Sequence, residues 1–438
     1  MIRKKLFAAL TGTFLLSNSF AQQVQHVIIV TIDGFRPDFY LQSSWQTPNL
    51  KRLMKQGVYA MGVNSVLPSV TYPSHTTIVT GVQPAEHGVY YNGRYDATGN
   101  KSNEIYWNDT SIHVPTLWST LHQQGKKVAS LIWPVSADAP VDYNIPDIGN
   151  MGEDVRNTFS KPAGFIDEVK KNVFNDTAAI DWGRDPNVAR IAAYIIAKDK
   201  PTLMTIHLLS VDHAEHTQGR SGPMVEECIA SADSAVGIIQ EALVKNGIAD
   251  NTLLIVTGDH GFKNVTTTVK PNVWLAKAGL QNNIKKGDWK ARFFSSGGAD
   301  FLYIKDRNDA ATTKQVNDLL KALPDSVTKY FEIIDRKQLD AIGGNPEVAF
   351  VLSGKNGAAF SNTATGEAIE AGKGGTHGYF PNSKEIQTGF IAYGAGVKNN
   401  GTVINEMNLR DIAPLVAHVL GISFPSAKGK IPASILAK

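Results

Sequence analysis

Four strand-length runs in this sequence are apolar almost from end to end, and they demand a sheet buried on both faces. The first is His26-Val27-Ile28-Ile29-Val30-Thr31-Ile32, ended by Asp33-Gly34. Val128 to Trp133, Thr202 to Leu209 and Thr252 to Val256 have the same character. Runs without polar alternation suit parallel sheets, whose two faces are both covered. Between them the period turns helical. Thr47-Pro48 opens one helix and Gly57 closes it; Pro115 to Gln124, closed by Gly125, is the next. Asp185-Pro186 starts a helix that runs to about Ala197. Met224 to Val244 sets Val225, Cys228, Ile229, Ala232, Val236, Ile239 and Leu243 on one face before Asn246-Gly247 ends it. Strand and helix thus alternate from His26 to about Phe262, which predicts an α/β/α sandwich around a mostly parallel sheet. Over residues 263–374 the rhythm loosens into shorter helices and hairpin-like strands, such as Ala299 to Ile304 and Val348 to Ser353. That stretch reads as an insertion or cap between a first core segment, residues 22–262, and a returning one, residues 375–438. The returning part has a core strand at Gly389 to Tyr393 and a last helix at Asp411 to Leu420.

Residues 1–21 combine Arg3, Lys4 and Lys5, an apolar run, and Ser19-Phe20-Ala21. This pattern predicts a secretory signal cleaved after Ala21, hence a periplasmic or secreted protein. The run is too short and wrongly flanked to span a membrane, and no later run approaches one. Those three basic residues account for the whole formal charge of +3, so the remainder is balanced. A neutral surface gives no reason to expect a nucleic-acid or anionic-membrane partner. An anionic substrate must then be held locally, most economically by metal ions. Cys228 is the single cysteine. It excludes an internal disulfide, and its place on an apolar helix face reads as a buried structural thiol.

Acidic and imidazole side chains gather behind the strands. Asp33 follows the first; Asp212 and His216 lie in SVDHAEH, Asp259 and His260 in TGDHGF, and His377 in GGTHGYF. Open α/β sheets bind ligands outside the carboxyl ends of their strands. Carboxylates and imidazoles without thiolates favour zinc, with manganese or iron as substitutes, over calcium. Six such side chains exceed one tetrahedral ion but suit two, about 3.5–4 Å apart, of the kind that clamp an in-line displacement at phosphorus. Thr71 lies between Pro68 and Pro73, in a turn just ahead of a helical run from His75 to Thr80. A hydroxyl there is an ordinary cap residue in most chains. Beside metal ions and the unpaired N–H groups of a helix N-terminus it is a candidate nucleophile.

The motifs TIDGFRPDF, PSVTYPSH, TGDHGF and THGYF resemble, in order and spacing, the nucleotide pyrophosphatase/phosphodiesterase branch of the alkaline phosphatase superfamily. The resemblance covers nearly the whole chain after residue 21. It implies that Asp33, Thr71, Asp259 and His260 hold one zinc and that Asp212, His216 and His377 hold the other. It also implies that Asn92, in YYNGRYD, donates to a non-bridging phosphate oxygen, although Asn-Gly read alone is a turn. Sulfatases share the fold but use a Cys/Ser-x-Pro-x-Arg motif, which is absent. Related Thr-based phosphomonoesterases carry a Lys-x-Arg pair on the dianionic phosphate; the comparable stretch here, Leu131 to Ser136, has no charge. A monoester needs that compensation, whereas a diester needs room for its second group, so a diesterase is favoured. Tyr72 matches the position where relatives carry an aromatic that stacks on a nucleobase, though packing explains it equally well. Trp133 is a weaker candidate for the same pocket. His75, His87 and His213 read as outer partners or packing. The expected reaction is attack by Thr71 on phosphorus, loss of an alcohol or nucleotide, and hydrolysis of a phosphothreonine. A phosphomonoesterase, or a silent metal- or nucleotide-binding protein on the same fold, is the alternative.

Overall fold

The computed structural model describes residues 24–98, 104–177 and 179–437; the reading of residues 1–21 as a signal lies outside them. The strands that matter for the site are β1 (His26–Ile32), β2 (Val58–Ala60), β3 (Val128–Trp133), β4 (Tyr143–Pro146), β5 (Leu203–Leu208) and β6 (Thr252–Thr257). They are followed by β7 (Ala291–Ser296), β8 (Ala299–Ile304), β9 (Phe331–Ile334), β10 (Val351–Gly354), β11 (Phe390–Gly394) and β12 (Thr402–Ile404). The main helices are α1 (Pro48–Gln56), α2 (Thr71–Thr80), α3 (Leu117–Gln123), α4 (Asp185–Asp199), α5 (Ser210–Gln218), α6 (Pro223–Lys245) and α7 (Ile412–Val419).

Eight strands form the central sheet in the order β12-β2-β11-β6-β1-β5-β3-β4. All neighbours are parallel except β11, which runs antiparallel to β2 and β6. Successive residues of β1 divide between two cores. Ile28, Val30 and Ile32 face a cluster with Val188, Ile195, Val225, Ile229, Val236 and Ile239 of α4 and α6. Val27 and Ile29 face another with Ile78, Leu117, Trp118, Ile412 and Val416 of α2, α3 and α7. Each fully buried aliphatic side chain contributes about 1.5–3 kcal/mol. Two covered faces explain why the strands read as unbroken apolar runs.

Residues 263–374 contain a four-stranded antiparallel sheet, β7-β8-β10-β9, with its own apolar cluster around Phe293, Leu302, Val316 and Leu352. At its two ends Lys263 pairs with Thr376 and Asn264 with Gly375. That pairing brings the segment carrying His377 back beside the loop after β6.

Two local expectations need correction. The helix expected from His75 begins at Thr71, because Pro73 falls in the first turn, where its missing N–H has no helical partner to lose. Cys228 is half-buried at the margin of the α6 core face instead of inside it.

Candidate metal centre and nucleophile

Parallel register places the acidic groups at one level. Thr31 pairs with His207 of β5 and with Thr257 of β6, so the three strands end together. Asp33 leaves β1 there, and Asp259 lies two residues beyond β6. After β5 the chain turns into α5, with Asp212 in its first turn and His216 one turn later on the same face. Asp185, at the start of α4, holds the N-terminus of α5: its carboxylate accepts from the N–H of Leu209 and from the Ser210 hydroxyl. Burial pushes the Asp185 carboxyl up to about 6, even against those hydrogen bonds.

The side chains converge on two overlapping groups, Asp212, His216 and His377 in one and Asp33, Asp212 and His260 in the other. Asp212 Oδ1 lies 3.4 Å from Nε2 of both His216 and His377. His260 Nε2 lies 3.1 Å from Asp259 Oδ2 and 3.3 Å from Asp33 Oδ1. The outer ring nitrogens point away. Nδ1 of His216 faces the Gly375 carbonyl, that of His377 the Ser69 carbonyl, and that of His260 the Gly261 carbonyl. A carbonyl only accepts, so each Nδ1 carries the proton, and a neutral ring then presents a bare Nε2 lone pair to the carboxylates. Burial, and the other imidazoles nearby, hold His260 and His377 well below the ordinary histidine value. Burial pushes Asp33 and Asp259 well up; Asp212 adds to the rise at Asp33, and Asp33 to that at Asp259.

Asp33 Oδ1, Asp212 Oδ1, Asp259 Oδ2 and His260 Nε2 are buried without a hydrogen-bond donor. Lone pair faces lone pair, an arrangement that a bound cation relieves and that packing alone does not. The donor set therefore fits metal ions, and its nitrogen–oxygen chemistry fits zinc.

Thr71 is the first residue of α2 and almost fully buried. Its Oγ1 accepts from Asn92 Nδ2 at 3.4 Å, while Asn92 Oδ1 accepts from the N–H of Tyr72 at 2.9 Å. Asn92 is thus pinned beside the hydroxyl. His75 Nδ1 donates to the Thr71 carbonyl at 2.8 Å, and its Nε2 accepts from the Thr31 hydroxyl at 2.8 Å. The Ser69 backbone, two residues before Thr71, carries the His377 ring, so nucleophile and imidazole share one loop. Gly34 is required here: its φ of +75° is left-handed, and a Cβ would lie 2.7 Å from Glu215 Oε2.

Trp133 requires correction. It is completely buried, edge-on to His75 with ring centroids 4.7 Å apart, and packs in the core beneath α2. No face of its ring is open to a substrate. Tyr72 is nearly buried too, among Val89, Tyr106 and Val135, with its hydroxyl donating to Asp147 Oδ2 at 2.9 Å. His87 is a buried packing residue that meets the Thr77 hydroxyl at 3.1 Å, and His213 is exposed.

Sequence reasoning missed several partners. His207 of β5 donates Nδ1–H to the Ile132 carbonyl and sets Nε2 3.1 Å from Asp33 Oδ2. A histidine inside the apolar run Thr202 to Leu209 was the available signal. Glu215, completely buried under α5, meets Arg36 Nε at 2.7 Å.

An α/β sandwich with carboxylates and imidazoles at the carboxyl ends of its strands, beside a hydroxyl at a helix N-terminus, has the alkaline-phosphatase-like architecture. The profile of the Type I phosphodiesterase / nucleotide pyrophosphatase family matches residues 27–380, and the chain belongs to that family. It is 25% identical over 415 residues to rat ectonucleotide pyrophosphatase/phosphodiesterase family member 3, a match spanning 90% of this chain and 42% of that protein. To mouse family member 7 it is 24% identical over 417 residues, covering 91% and 84% of the two chains. The chain therefore spans less than half the length of the first of these relatives. Murine ectonucleotide pyrophosphatase/phosphodiesterase 5 has the same fold, with a TM-score of 0.68, 21% identity, and coverage of 94% of this chain and 100% of that one.

Proposed function

We propose that this protein hydrolyses phosphodiester or phosphoanhydride bonds of small nucleotide-like substrates with Thr71 as nucleophile, outside the cytoplasm. Two zinc ions are the resident metals, replaceable by manganese or iron: Asp33, Thr71, Asp259 and His260 hold one, and Asp212, His216 and His377 the other. The observation that carries the reading is the convergence of unpartnered Asp oxygens and imidazole lone pairs, with the His377 ring held by the Ser69 carbonyl in the loop that carries Thr71. When bound, the ions lower the pKa of that hydroxyl and neutralise charge on the phosphoryl oxygens.

The chain's own groups do the rest. Thr71 attacks phosphorus and, as one alcohol or nucleotide leaves, forms a phosphothreonine ester that keeps the other half of the substrate; water then cleaves the bond between Thr71 and phosphorus and releases a phosphomonoester with net retention. Asn92 Nδ2, already within 3.4 Å of Thr71 Oγ1, donates to a non-bridging oxygen. A structure of an inactive variant of murine ectonucleotide pyrophosphatase/phosphodiesterase 5 is in complex with AMP, with a TM-score of 0.67, which supports a nucleotide as the substrate's retained half. Leu131 to Ser136 supplies no cation for a dianionic phosphate, in keeping with a diester.

The test pairs bis-p-nitrophenyl phosphate with p-nitrophenyl phosphate on zinc-loaded protein, with and without chelator, and on Thr71→Ala. The expected result is a kcat/KM higher by orders of magnitude for the diester, abolished by chelation. Thr71→Ala loses at least about a thousandfold in kcat, as loss of a nucleophile does, with metal content unchanged. Full turnover by metal-loaded Thr71→Ala would refute the nucleophile. Metal binding without turnover of either substrate would point to a binding protein.

A further inference from the structure

We propose that Asp147 makes this centre selective for singly charged phosphodiesters, by repelling the second negative charge of phosphomonoesters and inorganic phosphate. The inference rests on the phosphodiesterase reading and deepens it. Asp147 follows β4 directly, and its N–H donates to the Trp133 carbonyl at the end of β3, on the side of the sheet where the metal-ligand candidates gather. One carboxylate oxygen accepts from the N–H of Gly149 at 2.9 Å and the other from the Tyr72 hydroxyl at 2.9 Å. Both partners are neutral, so neither brings a positive charge to the carboxylate.

That charge reaches the reaction centre. Tyr72 adjoins Thr71 in sequence. Its hydroxyl binds Asp147 while its N–H binds Asn92 Oδ1, and Asn92 Nδ2 lies 3.4 Å from Thr71 Oγ1. A carboxylate therefore stands near the position where a monoesterase needs a cation.

The discrimination follows from charge number. A phosphodiester carries one negative charge at pH 8, whereas a monoester, whose second pKa is about 6, carries nearly two. Attraction to the metal ions favours the dianion; an unneutralised carboxylate several ångströms away opposes it. For unit charges about 8–10 Å apart, effective dielectric constants of 20–40 set the opposition at roughly fourfold to thirtyfold.

The experiment compares wild type, Asp147→Asn, Asp147→Ala and Tyr72→Phe, all zinc-loaded, at pH 8. It measures kcat/KM on p-nitrophenyl phosphate and bis-p-nitrophenyl phosphate, and the inhibition constant of inorganic phosphate. Asp147→Asn keeps an acceptor for Tyr72 while removing the charge. It is expected to raise the monoester-to-diester ratio roughly fourfold to thirtyfold and to lower the phosphate inhibition constant by a similar factor, from the same Coulomb reasoning. Asp147→Ala should follow it. Tyr72→Phe leaves the charge in place and should keep the wild-type ratio. An unchanged ratio in both Asp147 variants, whether activity rises, falls or stays, overturns the proposal. So does a ratio that moves with Tyr72→Phe as it does with Asp147→Asn, because the effect is then one of ring placement. A wild-type enzyme that prefers the monoester sinks the parent reading, and this proposal with it. That outcome is read from the wild-type ratio alone.

Discussion

Replacing Arg36 with Met is the sharpest test of how the metal-bearing loops are tied together. Arg36 belongs to the turn after β1, and Glu215 to α5, between Asp212 and His216. The side chains are 3% and 0% exposed, and Nε lies 2.7 Å from Oε1. Beyond this contact the Glu215 oxygens have no hydrogen-bond donor among the described residues. The guanidinium is anchored independently, 3.1 Å from Asp38, 2.7 Å from the Arg220 carbonyl, and 4.3 Å above the Phe39 ring. Removing the cation strands a buried carboxylate, a change that costs about 3–5 kcal/mol in comparable pairs. Burial already pushes Glu215 well up, and Arg36 is the largest influence holding it down. Without Arg36 the folded-state value rises further above the unfolded one. The folded variant then holds a proton that the folded wild type has released, so the cost grows as pH rises from the raised wild-type value of Glu215 toward the higher value of the variant. Adding Glu215→Gln should recover about 2 kcal/mol or more near neutral pH, because no stranded charge is left. Urea unfolding of the two single variants and the double variant, at pH 5 and pH 8, measures this as a coupling energy. Coupling below about 0.5 kcal/mol, or an Arg36→Met penalty that shrinks with pH, would refute the reasoning.

Three further outcomes are expected. Asp212→Asn should take bound zinc from two per chain to one or fewer, because Oδ1 contacts both His216 and His377 and Asp212 belongs to both groups; elemental analysis of the dialysed variant checks it. The chelated protein should lose stability from about pH 4 upward, because the raised carboxyls of Asp33 and Asp259 must ionise unpaired, and zinc should reverse that trend; melting temperatures at several pH values read it. Trp133→Ala should cost about 3–5 kcal/mol as a core truncation, while relative KM values across nucleobases stay constant; a base-dependent shift would restore Trp133 to the pocket.

Much of the fold was legible because burial on both faces leaves a plain mark. β1 and β3 were bounded correctly, and β5 and β6 to within one residue at an end, since strands of this kind stay apolar throughout. Gathering of Asp33, Asp212, Asp259 and the histidines was legible because parallel strands put their following loops at one edge. Three things were not. The start of α2 was hidden because Pro68 and Pro73 look alike in sequence, yet one precedes the helix and the other sits in its first turn. Trp133 was misplaced because its strand carries no polar alternation to mark which face meets the core and which the site. His207 and the Arg36–Glu215 pair escaped notice because their partners lie far away in sequence, and a lone polar residue in an apolar run or a ligand helix has no spacing to betray its role.

The place of β11 has a consequence for the life of the newborn chain. The strand slots between β2 and β6, so the edge of β6 has no neighbour until Phe390–Gly394 has been made. His377, too, arrives long after Asp33. For the whole stretch of synthesis in between, the growing protein presents an open hydrophobic ladder and an unfinished set of ligands. On the proposed ligand assignment Asp33, Thr71, Asp259 and His260 have all been made by residue 260, while the group of Asp212 and His216 waits for His377. The second metal site would then close only as the sheet itself closes.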